Sequence, residues 1–145
     1  MSKPADVHVR LARFDEREEL EALQWRASLM NDADRPHLEA HPDAIDLPAA
    51  QIANGQVWVA EVNGMIAGFA AVLEGELDGL FVEPQLWCRG IGAALVETAT
   101  HEARRKGRAL SVIANPAARG FYERCGFSFE GEAQTRFGPA LRMTK

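Results

Sequence analysis

Residues 75–94, GELDGLFVEPQLWCRGIGAA, force the chain to change structure within a few positions. Leu77, Leu80, Phe81 and Val82 read as a short buried strand, and Pro84 cannot continue a central ladder because it has no N–H to donate. Beyond it, glycines at 90 and 92 open a stretch whose apolar residues, Ile91, Leu95, Ala99 and Ala103, recur at helical spacing. Arg104, Arg105 and Lys106 gather at its far end and Gly107 follows as a stop. A strand, a sharp turn and a helix from about Gly92 to Lys106 are therefore expected in immediate succession.

The start of that helix is defined by what it lacks. The first helix of the chain opens with Asp15, Glu16, Glu18 and Glu19, acids that complement the positive end of a helix dipole. The turn from Arg89 to Leu95 has no acid and no Ser, Thr, Asp or Asn cap, only Arg89, Gly90, Ile91, Gly92, Ala93 and Ala94. Its backbone N–H groups are left for an outside partner, and glycines let an anion such as a phosphate come close. A plain strand-to-helix turn explains the glycines equally well, because a lone G-x-G carries little information.

A chain of 145 residues with 47% apolar content suffices for one compact domain, spanning residues 1–145, and is too short for two. The net charge of −5 and the lack of a long basic block argue against nucleic acid or an anionic membrane as partner. Cys88 and Cys125 form neither a disulfide framework nor a C-x-x-C metal pair, which fits a reducing cytoplasm. The first ten residues, MSKPADVHVR, have no signal-peptide core, and no apolar run approaches membrane-spanning length.

Along the chain, Val7, Val9 and Leu11 alternate with His8, Arg10 and Ala12, so residues 7–13 read as a strand with one buried face. Leu20, Leu23, Ala27 and Met30 stripe a helix from about Asp15 to Leu29. Residues 31–47 hold two prolines, four aspartates and two histidines, and read as a short helix or loop. His37 and His41 there read as exposed loop residues rather than metal ligands, because the pair has no third partner and Pro42 follows it. A short helix from Pro48 to Asn54 leads into strands from Gln56, with Asn63-Gly64 as a two-residue hairpin signal and Met65–Leu73 as the return strand. After the central helix, Ala109–Ile113 reads as a strand parallel to the one ending at Val82. Asn115 and Pro116 cap and start a last helix ending at Gly126. Phe127–Gln134 and Ala140–Thr144, joined through Phe137, Gly138 and Pro139, read as a closing hairpin.

The expected fold is α/β: a single mixed, mostly antiparallel sheet with a central βαβ crossover and helices on both faces. Two parallel strands beside a helix N-terminus make a natural cleft for a phosphate-bearing ligand. A dinucleotide fold is excluded by Leu95 at the third-glycine position and by the lack of an acid in residues 109–115.

The run V-E-P-Q-L-W-C-R-G-I-G-A-A-L (82–95) resembles the acetyl-CoA signature of the GCN5-related N-acetyltransferase (GNAT) superfamily: Gln or Arg, two residues, Gly, one residue, then Gly or Ala. Asn115 to Phe127, N-P-A-A-R-G-F-Y-E-R-C-G-F, resembles that family's second motif, and the likeness covers nearly all of residues 7–144. Trp87 and Cys88 depart from it, standing where Gln or Arg and often Gly are expected.

The resemblance implies a GNAT-like acyl-CoA N-acyltransferase fold and a direct transfer from acetyl-CoA, as cosubstrate and without a metal, to a primary amine of a small molecule or protein. It places the cofactor's pyrophosphate on backbone N–H groups of Trp87, Cys88, Arg89, Gly90, Ile91, Gly92 and Ala93. The pantetheine arm would lie near Phe81 and Val82, with Asn115 and Tyr122 as further contacts. It also places Tyr122, the only tyrosine, as the acid that protonates the departing thiolate, and Glu76 where some members carry their base. An amine of lysine-like pKa, about 10, must lose a proton before it attacks a thioester. Glu76 and Asp78 share a strand face and are the candidates, against the alternative of an exposed strand-end face. Tyr122 also has a packing alternative, since Phe121, Ala118 and Cys125 lie on the same side of its helix. Cys88 as an acyl-accepting nucleophile has no histidine near it in sequence. A non-catalytic acyl-CoA binding or sensing domain is the alternative function, hinted at only by Trp87 and Cys88. Four aspartates, Asp32, Asp34, Asp43 and Asp46, flank the expected acceptor side and suit a cationic acceptor. The resemblance leaves a homodimer open.

Overall fold

A computed structural model describes residues 7–32, 34–135 and 138–145. Among these residues, seven strands form one sheet: β1 (Val7–Leu11), β2 (Val57–Val62), β3 (Met65–Leu73), β4 (Glu76–Val82), β5 (Ser111–Ala114), β6 (Ser128–Thr135) and β7 (Gly138–Thr144). Their order across the sheet is β1-β2-β3-β4-β5-β7-β6, and every neighbouring pair is antiparallel except β4 and β5. Among the described residues, five α-helices accompany them: α1 (Arg17–Ser28), α2 (Arg35–Ala40), α3 (Ala49–Ala53), α4 (Ile91–Arg105) and α5 (Arg119–Arg124). The α4 crossover makes the one parallel pairing possible, because a two-residue turn cannot return a strand in the same direction.

Two apolar clusters lie on the two faces of the sheet. One gathers Leu77, Leu110, Val112 and Met143 under Ile91, Leu95, Val96, Ala99 and Ala103 of α4 and Tyr122 of α5. The other gathers Val57, Val59, Phe69 and Ala71 under Leu20 and Leu23 of α1 and Ile52 of α3. The stripe read from the sequence is therefore the buried face of α4, widened by Val96 and Thr100, whose hydroxyl donates to the Val96 carbonyl at 2.8 Å. Each large apolar residue so buried stabilises the fold by about 1.5–3 kcal/mol.

The hairpin at Asn63-Gly64 forms as expected, with φ of 53° and 77° at its two positions, and Glu74-Gly75 builds a second with 52° and 81°. Several boundaries move. α1 starts at Arg17 after a 3₁₀ turn at Phe14–Glu16 and ends at Ser28, so Met30 is outside it and 53% exposed rather than on its buried stripe. The first strand stops at Leu11, which is exposed, and Ala12 packs instead against the α1 cluster. The parallel strand begins at Ser111, two residues later than the sequence suggests. Asn115 caps a 3₁₀ turn, Pro116–Ala118, ahead of α5. Phe137, the expected start of the last hairpin's joint, lies outside the described residues. Among the described residues, no helix is long and apolar enough to cross a membrane.

Candidate active site

A mismatch in strand pairing makes the cleft. β4 and β5 pair at only two positions, Glu76 with Ser111 and Leu77 with Val112. Past these, β4 stays with β3 as far as Gly68↔Val82, and β5 stays with β7 as far as Ala114↔Leu141. Each strand is held by its outer neighbour, so the two separate toward their C-terminal ends and leave backbone groups facing an opening. Asp78 marks where the opening starts. Ala71 pairs with Gly79 while Val72 pairs with Leu77, which leaves Asp78 as the extra residue of a bulge.

Leu80, Phe81 and Val82 border this opening and are only half-buried, unlike Leu77 behind them, which corrects the reading of a uniformly buried strand. The Phe81 ring folds back over Gly79, where an added Cβ would sit 2.8 Å from it, and meets Phe69 at 5.3 Å between centroids.

Facing the opening is the start of α4. Gly90 is its N-cap with a left-handed φ of 82°, no side chain caps it, and its first turn holds no acid. The Ala94 N–H returns to the Gly90 carbonyl at 3.0 Å, whereas the N–H groups of Ile91, Gly92 and Ala93 have no carbonyl one turn behind them. Gly92 has a packing role that spacing alone does not show: a Cβ there would lie 3.1 Å from Cζ of Phe121 and 3.8 Å from Cγ2 of Val82. Arg89 is exposed beside this turn and forms no salt bridge among the described residues.

The two departures from the family pattern have distinct consequences. Trp87, 45% exposed, donates its indole N–H to the Val82 carbonyl at 2.8 Å and so pins the turn to the end of β4. Cys88 adopts a φ of 64°, a conformation natural to glycine and strained by roughly 1–2 kcal/mol for a residue with a Cβ.

Tyr122 is 7% exposed and wedged edge-on between Phe121 (5.0 Å) and Phe127 (5.2 Å). Its hydroxyl has no hydrogen-bond partner among the described residues, yet no side-chain oxygen or nitrogen there is both sealed and unpartnered. The hydroxyl is therefore not fully sealed, although the ring is buried. Burial, and to a lesser degree the Cys125 thiol, pushes its pKa well above the ordinary phenol value. Packing of the ring does not by itself occupy the hydroxyl. Asn115, at the end of β5, accepts the Ala117 N–H through Oδ1 at 2.9 Å and donates from Nδ2 to Asp34 at 3.3 Å.

Glu76 and Asp78 are both exposed. Glu76 sits inside the paired part of β4 and β5, whereas Asp78 stands at the bulge where they part. His37 and His41 lie on α2 and at its C-cap, both exposed. Two links across the site are invisible in the sequence: Asn115–Asp34, and Arg26 at the end of α1 to Glu83 just past β4 (Nε–Oε1 3.2 Å). The Asp-Arg-Pro run at 34–36 is a helix-start signal that could have located α2, but no pattern pairs positions 81 apart.

An opened pair of parallel strands whose C-terminal ends face an uncapped, acid-free helix start defines an acyl-CoA-type N-acyltransferase architecture. The acetyltransferase (GNAT) domain family matches residues 53–129. The chain belongs to this family. It is 30% identical over 136 residues to the peptidyl-lysine N-acetyltransferase YjaB of Salmonella typhimurium, covering 88% of each chain. It is 39% identical over 80 residues to the peptidyl-lysine N-acetyltransferase YiaC of Escherichia coli, covering 54% of this chain and 53% of that protein. The chain thus spans about half the length of YiaC, and likewise of the E. coli N-acetyltransferase YafP. Among solved structures, a GCN5-related N-acetyltransferase from Rhodopseudomonas palustris superposes with a TM-score of 0.84 at 20% identity, covering 100% and 98% of the two chains. The PaiA N-acetyltransferase of Thermoplasma acidophilum, solved with coenzyme A, superposes at 0.74 and 16% identity, covering 96% and 98%. These two likenesses show the shared fold.

Proposed function

We propose that this protein transfers the acetyl group of acetyl-CoA directly to a primary amine, with a protein lysine side chain as the foremost acceptor. The observation that carries this reading is the opening between β4 and β5 aimed at the uncapped start of α4. Acetyl-CoA supplies an acyl group already activated as a thioester, and the residues present fit such a group. The free N–H groups at Ile91, Gly92 and Ala93, with Arg89 beside them, suit a pyrophosphate. The edge of β4 between Gly79 and Val82 that β5 leaves unpaired suits the amide-bearing arm, and Asn115 closes the β5 side. The coenzyme A bound by PaiA on the same fold, and the peptidyl-lysine N-acetyltransferase activity for which YiaC and YjaB are named, support the donor and the acceptor class.

Three tasks fall to this chain's side chains. Tyr122 stays protonated at any working pH and offers its O–H toward the leaving thiolate. Asp78, or Glu76 through water, takes the proton of the incoming ammonium. Asp78 is the better placed, because it stands at the mouth and Glu76 in the paired region. Trp87 holds the phosphate turn in register through Val82. The test is a titration followed by turnover. Acetyl-CoA should change Trp fluorescence and give a calorimetric Kd, and a lysine peptide should then gain acetyl by mass spectrometry. Binding without transfer to any of a broad amine panel would make the chain a sensing domain, and no binding at millimolar acetyl-CoA would remove the cofactor assignment.

A further inference from the structure

The segment between α1 and α2 is tied to both sides of the opening. Arg26 joins the end of α1 to Glu83, one residue beyond β4, and Asp34 joins the start of α2 to Asn115, one residue beyond β5. The two ties therefore stand on opposite sides of the mouth where the two parallel strands part. Asp34 is the N-cap of α2, a position at which an Asp side chain usually accepts an N–H of its own first turn, yet its carboxylate makes no such bond. It turns instead across the mouth to Asn115 Nδ2, through Oδ2, while Oδ1 has no partner among the described residues. The bond from Ala117 N–H to Asn115 Oδ1 fixes which way that amide points.

The other aspartates of the segment are differently disposed. Asp46 is engaged by Arg17 at 2.9 Å, and Asp32 and Asp43 are exposed, whereas Asp34 is half-buried. Resting on the acetyltransferase reading, we infer that Asp34 is the specificity-determining carboxylate that holds the ammonium group of a cationic acceptor at the mouth. An ammonium brings up to three N–H donors to a group with a vacant oxygen and, among the described residues, no salt-bridge partner. The bond to Asn115 keeps that carboxylate on the side of the mouth where the acyl donor is expected.

The test compares wild type with Asp34→Asn, which keeps the shape and the N-cap position, and with Asp32→Asn and Asp43→Asn as charge controls. The readouts are KM and kcat for a lysine peptide, acetyl-CoA affinity, and peptide binding to the complex with coenzyme A. Loss of a charge-assisted contact predicts a roughly tenfold rise in peptide KM and Kd for Asp34→Asn alone. Acetyl-CoA affinity and melting temperature should stay at wild-type values. Unchanged peptide KM and Kd, an equal rise in the two controls, or a fall in kcat with KM unmoved would overturn the inference. A wild-type protein that binds acetyl-CoA but acetylates no amine overturns the transfer reading itself, while peptide binding to the coenzyme A complex still decides Asp34.

Discussion

Cys88 shows how much a single residue can reveal about the backbone beneath it. The family pattern favours glycine there, and the left-handed φ of 64° is the reason, since a Cβ in that region crowds the following carbonyl. Cys88→Gly should therefore raise stability by about 0.5–1 kcal/mol, the relief being partly offset by the greater freedom of glycine in the unfolded chain. Cys88→Val, stiffened by β-branching, should lower it by about 1 kcal/mol or more. Equal denaturation midpoints for the two variants would show that this turn is not held left-handed. Tyr122 offers a second test at this scale. Because burial raises its pKa, the group keeps its proton throughout the range in which it is needed. The pH profile of kcat should show no alkaline decline assignable to a phenol below about pH 10, the ordinary value for tyrosine.

At the scale of elements, the edge of the sheet is bound by charge as well as by apolar packing. Arg10 on β1 donates to Glu16 at 2.7 Å and to Glu61 on β2 at 2.9 Å, and the Arg13 N–H adds a bond to Glu16 at 2.7 Å. These partners, the Arg10 side chain first, hold the Glu16 carboxyl below the usual carboxylate range. A depressed folded-state pKa contributes stability that is present above the unfolded value, about 4.3, and is lost as pH falls through the folded one. Glu16→Gln should cost about 1–2 kcal/mol at pH 7, and the difference from wild type should shrink as pH falls below about 4 in urea denaturation series. A gap that is independent of pH would mean that Glu16 acts by packing. α4 gives a complementary case. Gly92→Leu meets Phe121 at close range, so it should weaken acetyl-CoA binding and also lower the melting temperature, which the phosphate-approach argument alone does not anticipate.

Local pattern made α4, the Asn63-Gly64 turn and the uncapped helix start legible, because each is decided by a few adjacent residues. What stayed hidden was set by distant partners. The bulge at Asp78 depends on how β3 meets β4, the late start of β5 on its pairing with β7, and the Asp34–Asn115 bond on two segments that only the fold brings together.

For the molecule as a whole, the sheet is a frame that holds two strands apart. β1, β2 and β3 anchor β4 from one side, β7 and β6 anchor β5 from the other, and the parting of the two creates the cleft without an insertion or a separate domain. α4 and α5 on one face then supply the helix start and Tyr122, α1 packs on the other, and Asp34 at the start of α2 ties to Asn115. The central claim is that this cleft is a place of acetyl transfer in which Tyr122 acts as the acid. The most direct measurement is the rate of coenzyme A release by Tyr122→Phe on a good amine acceptor, alongside its acetyl-CoA affinity and melting temperature. Removal of the hydroxyl alone should lower kcat by roughly 100-fold or more, while affinity and stability stay near wild type. Wild-type turnover in that variant would contradict the account and leave Tyr122 as a core aromatic only.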